Sequence, residues 1–226
     1  MTVTAILLFA LIGLPELSAQ SDGVLITGVT QERTKVILGR AAPYASEYVF
    51  EPATFDPVEA ASITKVFGLE ELPNLLRLYF SGVGYIADVS WVARLDDLQL
   101  LVFHDCAVPV IKPLLRLSSL RELYVVLSDL RAPLPARIDL AGLENLEVLS
   151  FGGTYLNALP RFTRIPPSLE YVDLSYCGLN LDAPEARAAL ESLRDVGRVN
   201  VTGNFVSPET LQEFRFLHLD SERTDG

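Results

Sequence analysis

The sequence predicts an α/β chain of stacked repeats, with a curved parallel sheet on one face and helices or irregular turns on the other. Three observations carry this expectation. Leucine supplies 39 of the 226 residues, about twice its ordinary share. The leucines recur with other hydrophobes in one fixed pattern, six times over. Within each unit the hydrophobes alternate with the period of a strand, and the gap between units leaves room for a short return segment.

Composition narrows the function classes. The chain carries 29 acidic and 18 basic residues, a net charge of −11. Nucleic acid is disfavoured as a partner, because phosphate binding needs a basic face. Anionic lipid is disfavoured for the same reason. The length suits one large domain or two small ones, and a hydrophobic content of 50% supplies a continuous core.

Taken in order, residues 1–19 read as a signal peptide. An apolar run from Ala5 to Leu14 is followed by Pro15 and a small-residue cleavage point after Ala19. The run is too short to span a bilayer, which takes about 20 apolar residues, and residues 1–4 carry no basic side chain. The expectation is export to the cell envelope, the periplasm or the exterior, with no membrane insertion after signal removal.

Residues 20–68 read as an N-terminal cap. Val24–Ile26 and Lys35–Leu38 flank the polar Thr30–Thr34, the pattern of a β-hairpin. Such a hairpin would cover the first core layer, as terminal repeats must. Tyr48, Phe50, Ala53 and Phe55 form a degenerate early unit.

Residues 69–206 hold the six units. The template fits Leu72, Leu75, Leu78, Phe80 and Val83, then Leu95, Leu98, Leu101, Phe103 and Cys106. It fits again at Leu117, Leu120, Leu123, Val125 and Ser128, and at Leu143, Leu146, Leu149, Phe151 and Thr154. The last two are Pro166, Leu169, Val172, Leu174 and Cys177, and Leu193, Val196, Val199, Val201 and Asn204. A further apolar position, or Tyr85 in the first unit, falls two residues later each time. Pro109, Pro113, Pro133 and Pro135 predict irregular returns, whereas Asp182 to Arg194 predicts a capped helix. In residues 207–226, Ser207 and Pro208 mark the start of a closing helix running to Phe216.

These residues resemble the leucine-rich repeat, L-x-x-L-x-L-x-x-N/C-x-L, whose period is 20–29 residues. The stretch from Ile86 to Leu95 is similar to the return of the 22-residue repeats of bacterial internalins, from which the 26- and 27-residue later units depart. The resemblance implies a solenoid and a role in protein recognition without catalysis. It also implies an asparagine ladder at the fixed position, here occupied by Val83, Cys106, Ser128, Thr154, Cys177 and Asn204, of which only Asn204 carries the amide. Cysteine is an accepted substitute there. Cys106 and Cys177 are three units apart, about 14 Å at one strand spacing per unit, beyond the roughly 7 Å reach of a disulfide. Two buried free thiols are expected, and no metal site.

Other motifs are explained more simply by the repeat. Gly82, Gly84 and Ala87 make a G-x-G-x-x-A pattern after a strand, which on its own resembles a dinucleotide-binding turn. Phe80 to Phe103 spans one 23-residue period, short of the roughly 30 residues of a β-α-β unit. No cofactor is expected, and a dinucleotide enzyme using Gly82–Ala87 stands as the alternative of a different class. His104 and Asp105 are adjacent in a strand, so they point to opposite faces and form no acid–base pair. Asn200 heads a glycosylation sequon but falls in a strand, so it is expected to stay unmodified.

The register places three outward columns on the concave face. They are Arg77, Leu100, Glu122, Val148, Tyr171 and Arg198; Tyr79, Val102, Tyr124, Ser150, Asp173 and Asn200; and Ser81, His104, Val126, Gly152, Ser175 and Thr202. The expected partner-binding residues are Arg77, Tyr79, His104, Glu122, Tyr124, Tyr171, Asp173 and Asn200, centred on Tyr124 and Asp173. Tyrosine is enriched at interface anchors, and the ligand class is a protein or a surface glycan. Two alternatives stand beside this. The tyrosines pack along the sheet with Leu100, Val102, Val126 and Val148 covered by the N-terminal segment, or the chain is a structural envelope component without a specific ligand.

Overall fold

The computed structural model describes residues 75–220, apart from 82–84, 87, 109 and 131, and before them five strands, 23–29, 35–37, 47–52, 62–63 and 65–67. The expected signal peptide and the Gly82–Gly84 turn lie outside the described residues, as do Leu72 and Val83.

Nine strands form one open, all-parallel sheet. In spatial order they are β1 (Gly23–Val29), β3 (Glu47–Pro52), β6 (Arg77–Ser81), β8 (Leu100–His104), β10 (Glu122–Val126), β13 (Val148–Ser150), β15 (Tyr171–Asp173), β16 (Arg198–Asn200) and β17 (Leu217–His218). Spatial order follows chain order throughout. The remaining strands pair in twos, all parallel: β2 (Lys35–Ile37) with β5 (Lys65–Phe67), β4 (Ser62–Ile63) with β7 (Tyr85–Ile86), β9 (Ala107–Val108) with β11 (Asp129–Leu130), and β12 (Arg137–Asp139) with β14 (Arg161–Thr163). The class is therefore α/β with few helices.

The leucine pattern sets the register. Leu78, Leu101, Leu123, Leu149, Val172 and Val199 are successive Cα partners across six strands. Among the described residues from Leu75 onward, the template aliphatic and aromatic side chains up to and at the fixed position are buried, none above 4% exposure. Together with Phe80, which stacks on Phe103 at 5.1 Å and meets Trp91 edge-on at 6.0 Å, they make one continuous core. Each such side chain stabilises the fold by about 1.5–3 kcal/mol on burial.

The fixed position carries a hydrogen-bond ladder that does not need asparagine. The Ser128 hydroxyl accepts from the Cys106 N–H at 3.2 Å and donates to the Val126 carbonyl at 2.9 Å. The Thr154 hydroxyl accepts from the Ser128 N–H at 3.1 Å and donates to the Val125 carbonyl at 2.7 Å. The Cys177 thiol reaches the Phe151 carbonyl at 3.2 Å. Asn204 accepts from the Leu179 N–H at 3.0 Å and donates to the Leu174 carbonyl at 2.7 Å. Hydroxyls serve because each has one donor and two acceptor sites.

One residue per unit, just after the strand, adopts the left-handed conformation: Asp105, Leu127, Gly153, Tyr176 and Gly203, with φ between 49° and 71°. The N–H groups of the first four donate to carbonyls of the following unit, those of Val126, Gly152, Ser175 and Thr202. This turn chemistry holds Leu127 and Tyr176 in a region that costs a non-glycine residue roughly 1–2 kcal/mol.

Several sequence expectations are corrected here. Among the described residues β1 and β2 form no hairpin: β1 pairs in parallel with β3, and β2 in parallel with β5, so the two segments belong to different sheets. The alternation that reads as a hairpin fits parallel strands equally well. The early unit is in register, Tyr48 with Leu78 and Phe50 with Phe80, and β1 adds a further strand beyond it. In the first unit Ile86, which follows the template position Tyr85, is buried.

The return helices also differ in detail. The first α-helix, α1 (Pro184–Leu190), continues as a 3-10 turn over Glu191–Leu193. Its N-cap, Ala183, makes no side-chain bond. Asp182 instead accepts from the Ser207 N–H and from the Ser207 and Thr210 hydroxyls at 2.6–3.0 Å, tying it to the next helix. That helix, α2 (Pro208–Glu213), starts at Ser207 as expected but ends three residues before Phe216. Leu217 and His218 then pair with Val199 and Asn200, adding the ninth strand.

Candidate functional site

The sheet has a core side and an opposite side, and the outward columns fall on the opposite side in the expected register. Arg77, Leu100, Glu122, Val148, Tyr171 and Arg198 are successive partners, as are Tyr79, Val102, Tyr124, Ser150, Asp173 and Asn200.

Their environments divide the face into two halves. At the N-terminal half Tyr79, Leu100, Val102 and Val126 are buried at 0–5% exposure and form a second apolar cluster, with half-buried Tyr124 against it. Tyr79 and His104 were expected at the surface, and both are buried, His104 at 4%. Burial lowers the His104 pKa, opposed by the Asp105 carboxylate. The run Leu100, Val102, Val126 beside a tyrosine is more apolar than a solvated face, and this was the legible sign. Arg77 is half-buried.

The C-terminal half is open and polar. Glu122, Tyr124, Val148, Tyr171 and Asp173 are half-buried and Arg198 is exposed. The Tyr124 hydroxyl donates to Glu122 Oε2 at 2.8 Å. Burial and the adjacent Glu122 carboxylate push the Tyr124 pKa well up. Asp173 accepts from the Ser150 hydroxyl at 3.0 Å and from the Ser175 N–H at 3.0 Å, and leans over Gly152, where a Cβ would lie 2.6 Å from its Oδ2. Glycine keeps this carboxylate in place.

Tyr171 sits at the centre of a charged network. The Arg198 guanidinium lies 5.9 Å from its ring centroid, within cation–π range. The Arg198 Nε donates to His218 Nε2 at 2.6 Å and its Nη2 to Asp220 Oδ1 at 2.6 Å. Accepting from Arg198 requires an unprotonated His218 Nε2, in keeping with a pKa lowered first by burial and then by the Arg198 charge. Asn200 is buried at 5% and donates to Asp220 Oδ2 at 3.0 Å. Its side chain is therefore a brace, not a contact residue, and the sequon is inaccessible. His218 and Asp220 join the site although the sequence predicts no element beyond Phe216, because the pattern gives no sign of β17.

Among the described residues no group of three potential metal ligands comes together, and no helix is long and apolar enough to cross a membrane. Both cysteines are buried and neither is in a disulfide, with the Cys177 thiol pushed up to about 12 chiefly by burial. The strand before Gly82 is followed, after β7, by a five-residue 3-10 turn at Ser90–Arg94. No protein-family model and no curated protein matches the chain. What the fold defines is an α/β protein with an open parallel sheet, one half of whose outer face is apolar and closed and the other polar and open.

Proposed function

We propose that this chain is a leucine-rich-repeat solenoid, exported through residues 1–19, that works without catalysis as a protein-binding module. Recognition falls on the C-terminal half of the sheet face, at Glu122, Tyr124, Tyr171, Asp173 and Arg198. The observation that carries the reading is the ladder itself. Two tyrosines, each poised by a charged neighbour, stand on hydrogen-bonded strands beside an aspartate fixed by two bonds. Rigid aromatic side chains with polar tips lose little entropy on binding and anchor interfaces well. The proposed site is smaller than the sequence suggests, since Tyr79, His104 and Asn200 are buried.

The test is a cross-linked capture from envelope and secreted fractions, comparing the wild type with Tyr171→Ala/Asp173→Ala, both checked by circular dichroism. A partner held by the wild type and lost by the folded double variant supports the reading. Equal capture by both refutes this location, and absence of any partner favours a structural role.

A further inference from the structure

We infer that a groove on the far side of the core from the tyrosine face is a second binding site, for an extended peptide that sets a carboxylate side chain beside a bulky apolar one. The groove encloses about 520 Å³ and is floored by Pro133, Leu134, Tyr155, Pro160 and Ala188. That volume falls in the range of about 300–1,000 Å³ typical of ligand sites. Its lining comes from three successive returns, residues 133–137, 157–161 and 185–189. It therefore runs across the units, with room for about three extended residues at roughly 3.3 Å each.

The charge at its edge specifies the acid. Arg137 and Arg161 both line the groove and are direct partners in the β12–β14 pairing. Ile138 and Phe162, at 1% and 2% exposure, turn into the core, so both arginines turn outward on one face. Like charges directly opposite on neighbouring strands repel. Among the described residues neither has an ion pair or a side-chain hydrogen bond, although the chain carries 29 acids. The nearest acid in sequence, Asp139, is bound by Arg164. Glu185 lines the groove from α1 without a bond to either arginine. A carboxylate between the two guanidiniums would satisfy both through charge-assisted hydrogen bonds. Its apolar neighbour would rest on the proline and leucine floor beside the ring of Tyr155, which is 70% exposed and packs against Gly178.

A random dodecapeptide library displayed on phage tests this against the full-length protein, with Arg137→Glu/Arg161→Glu and Ala188→Trp as parallel targets. All three substituted positions are exposed, so the variants are expected to melt with the wild type. The proposal expects wild-type selection to enrich Asp or Glu within two positions of Leu, Phe, Trp or Pro. The enriched peptides should lose affinity by about tenfold or more on either variant and keep it on Tyr171→Ala/Asp173→Ala. No enrichment overturns the proposal. So does enrichment without an acid, or binding unchanged by both groove variants. Loss confined to Tyr171→Ala/Asp173→Ala would assign the peptides to the sheet face instead.

Discussion

Replacing Thr154 by valine isolates the worth of the ladder at the fixed position. The two side chains have nearly the same shape, so the exchange removes one hydroxyl from a site with no exposed surface. Two backbone groups lose a partner: the Ser128 N–H at 3.1 Å and the Val125 carbonyl at 2.7 Å. The β10–β13 pairing ends at Tyr124 and Ser150, one residue short of Val125, so the strand ladder does not replace the lost acceptor bond. A buried polar group left without a partner costs about 1–3 kcal/mol, so two give a loss of about 2–4 kcal/mol after the small gain from the added methyl. For a domain of this size that lowers Tm by roughly 4–16 °C. Thr154→Ser keeps the hydroxyl and loses one methyl, worth about 1 kcal/mol. Urea and thermal melts of the three proteins measure the difference. If the valine variant is as stable as the serine variant, the ladder is not a source of stability and the reasoning fails.

Further outcomes follow from the same geometry. Gly142→Ala should be more damaging than Gly153→Ala in denaturant melts, because the new Cβ at 142 would lie 2.3 Å from the Leu115 backbone oxygen. At 153 it meets the movable end of the exposed Leu127 side chain, leaving mainly the cost of φ +70°, about 1–2 kcal/mol; the opposite ranking would contradict this. The thiols of Cys106 and Cys177 should stay silent to a thiol reagent at pH 8 and both react once the chain is unfolded. Stability should fall as pH rises above about 9, since Cys177 ionises near 9 when unfolded and only at about 12 when folded; Cys177→Ala should flatten that slope in pH-dependent urea melts. His218, whose folded pKa is depressed, should make the protein lose stability as pH falls below its ordinary value of 6.5, and His218→Gln should weaken that loss.

The leucine spacing was enough to place the sheet register, because in a stacked parallel sheet each inward residue must meet its counterpart one period away. Leu78, Leu101 and Leu123 could be aligned on paper, and the outward columns followed, Tyr124 beside Ser150 and Tyr171 beside Arg198. The start of α2 was legible from Ser207 and Pro208, but the prolines did not show that Pro113 opens a 3-10 turn over Lys112–Arg116 or that β12 follows Pro135. Strand direction at the N-terminus was not legible, since alternation is the same for hairpins and parallel pairs, and only long-range pairing of β1 with β3 decided it. Exposure was legible only in part, from the apolar run Leu100, Val102 and Val126. An outward side chain is exposed only if nothing lies over or beside it, and Tyr79, His104 and Asn200 are buried while Tyr124 and Tyr171 are half open. The sequence by itself determined periodicity, register and the two buried thiols. Tertiary structure alone decided the ninth strand, the hydroxyl ladder, the split face and the pairing of Arg137 with Arg161. Each of these depends on contacts between residues eighteen or more positions apart, which a local pattern does not encode.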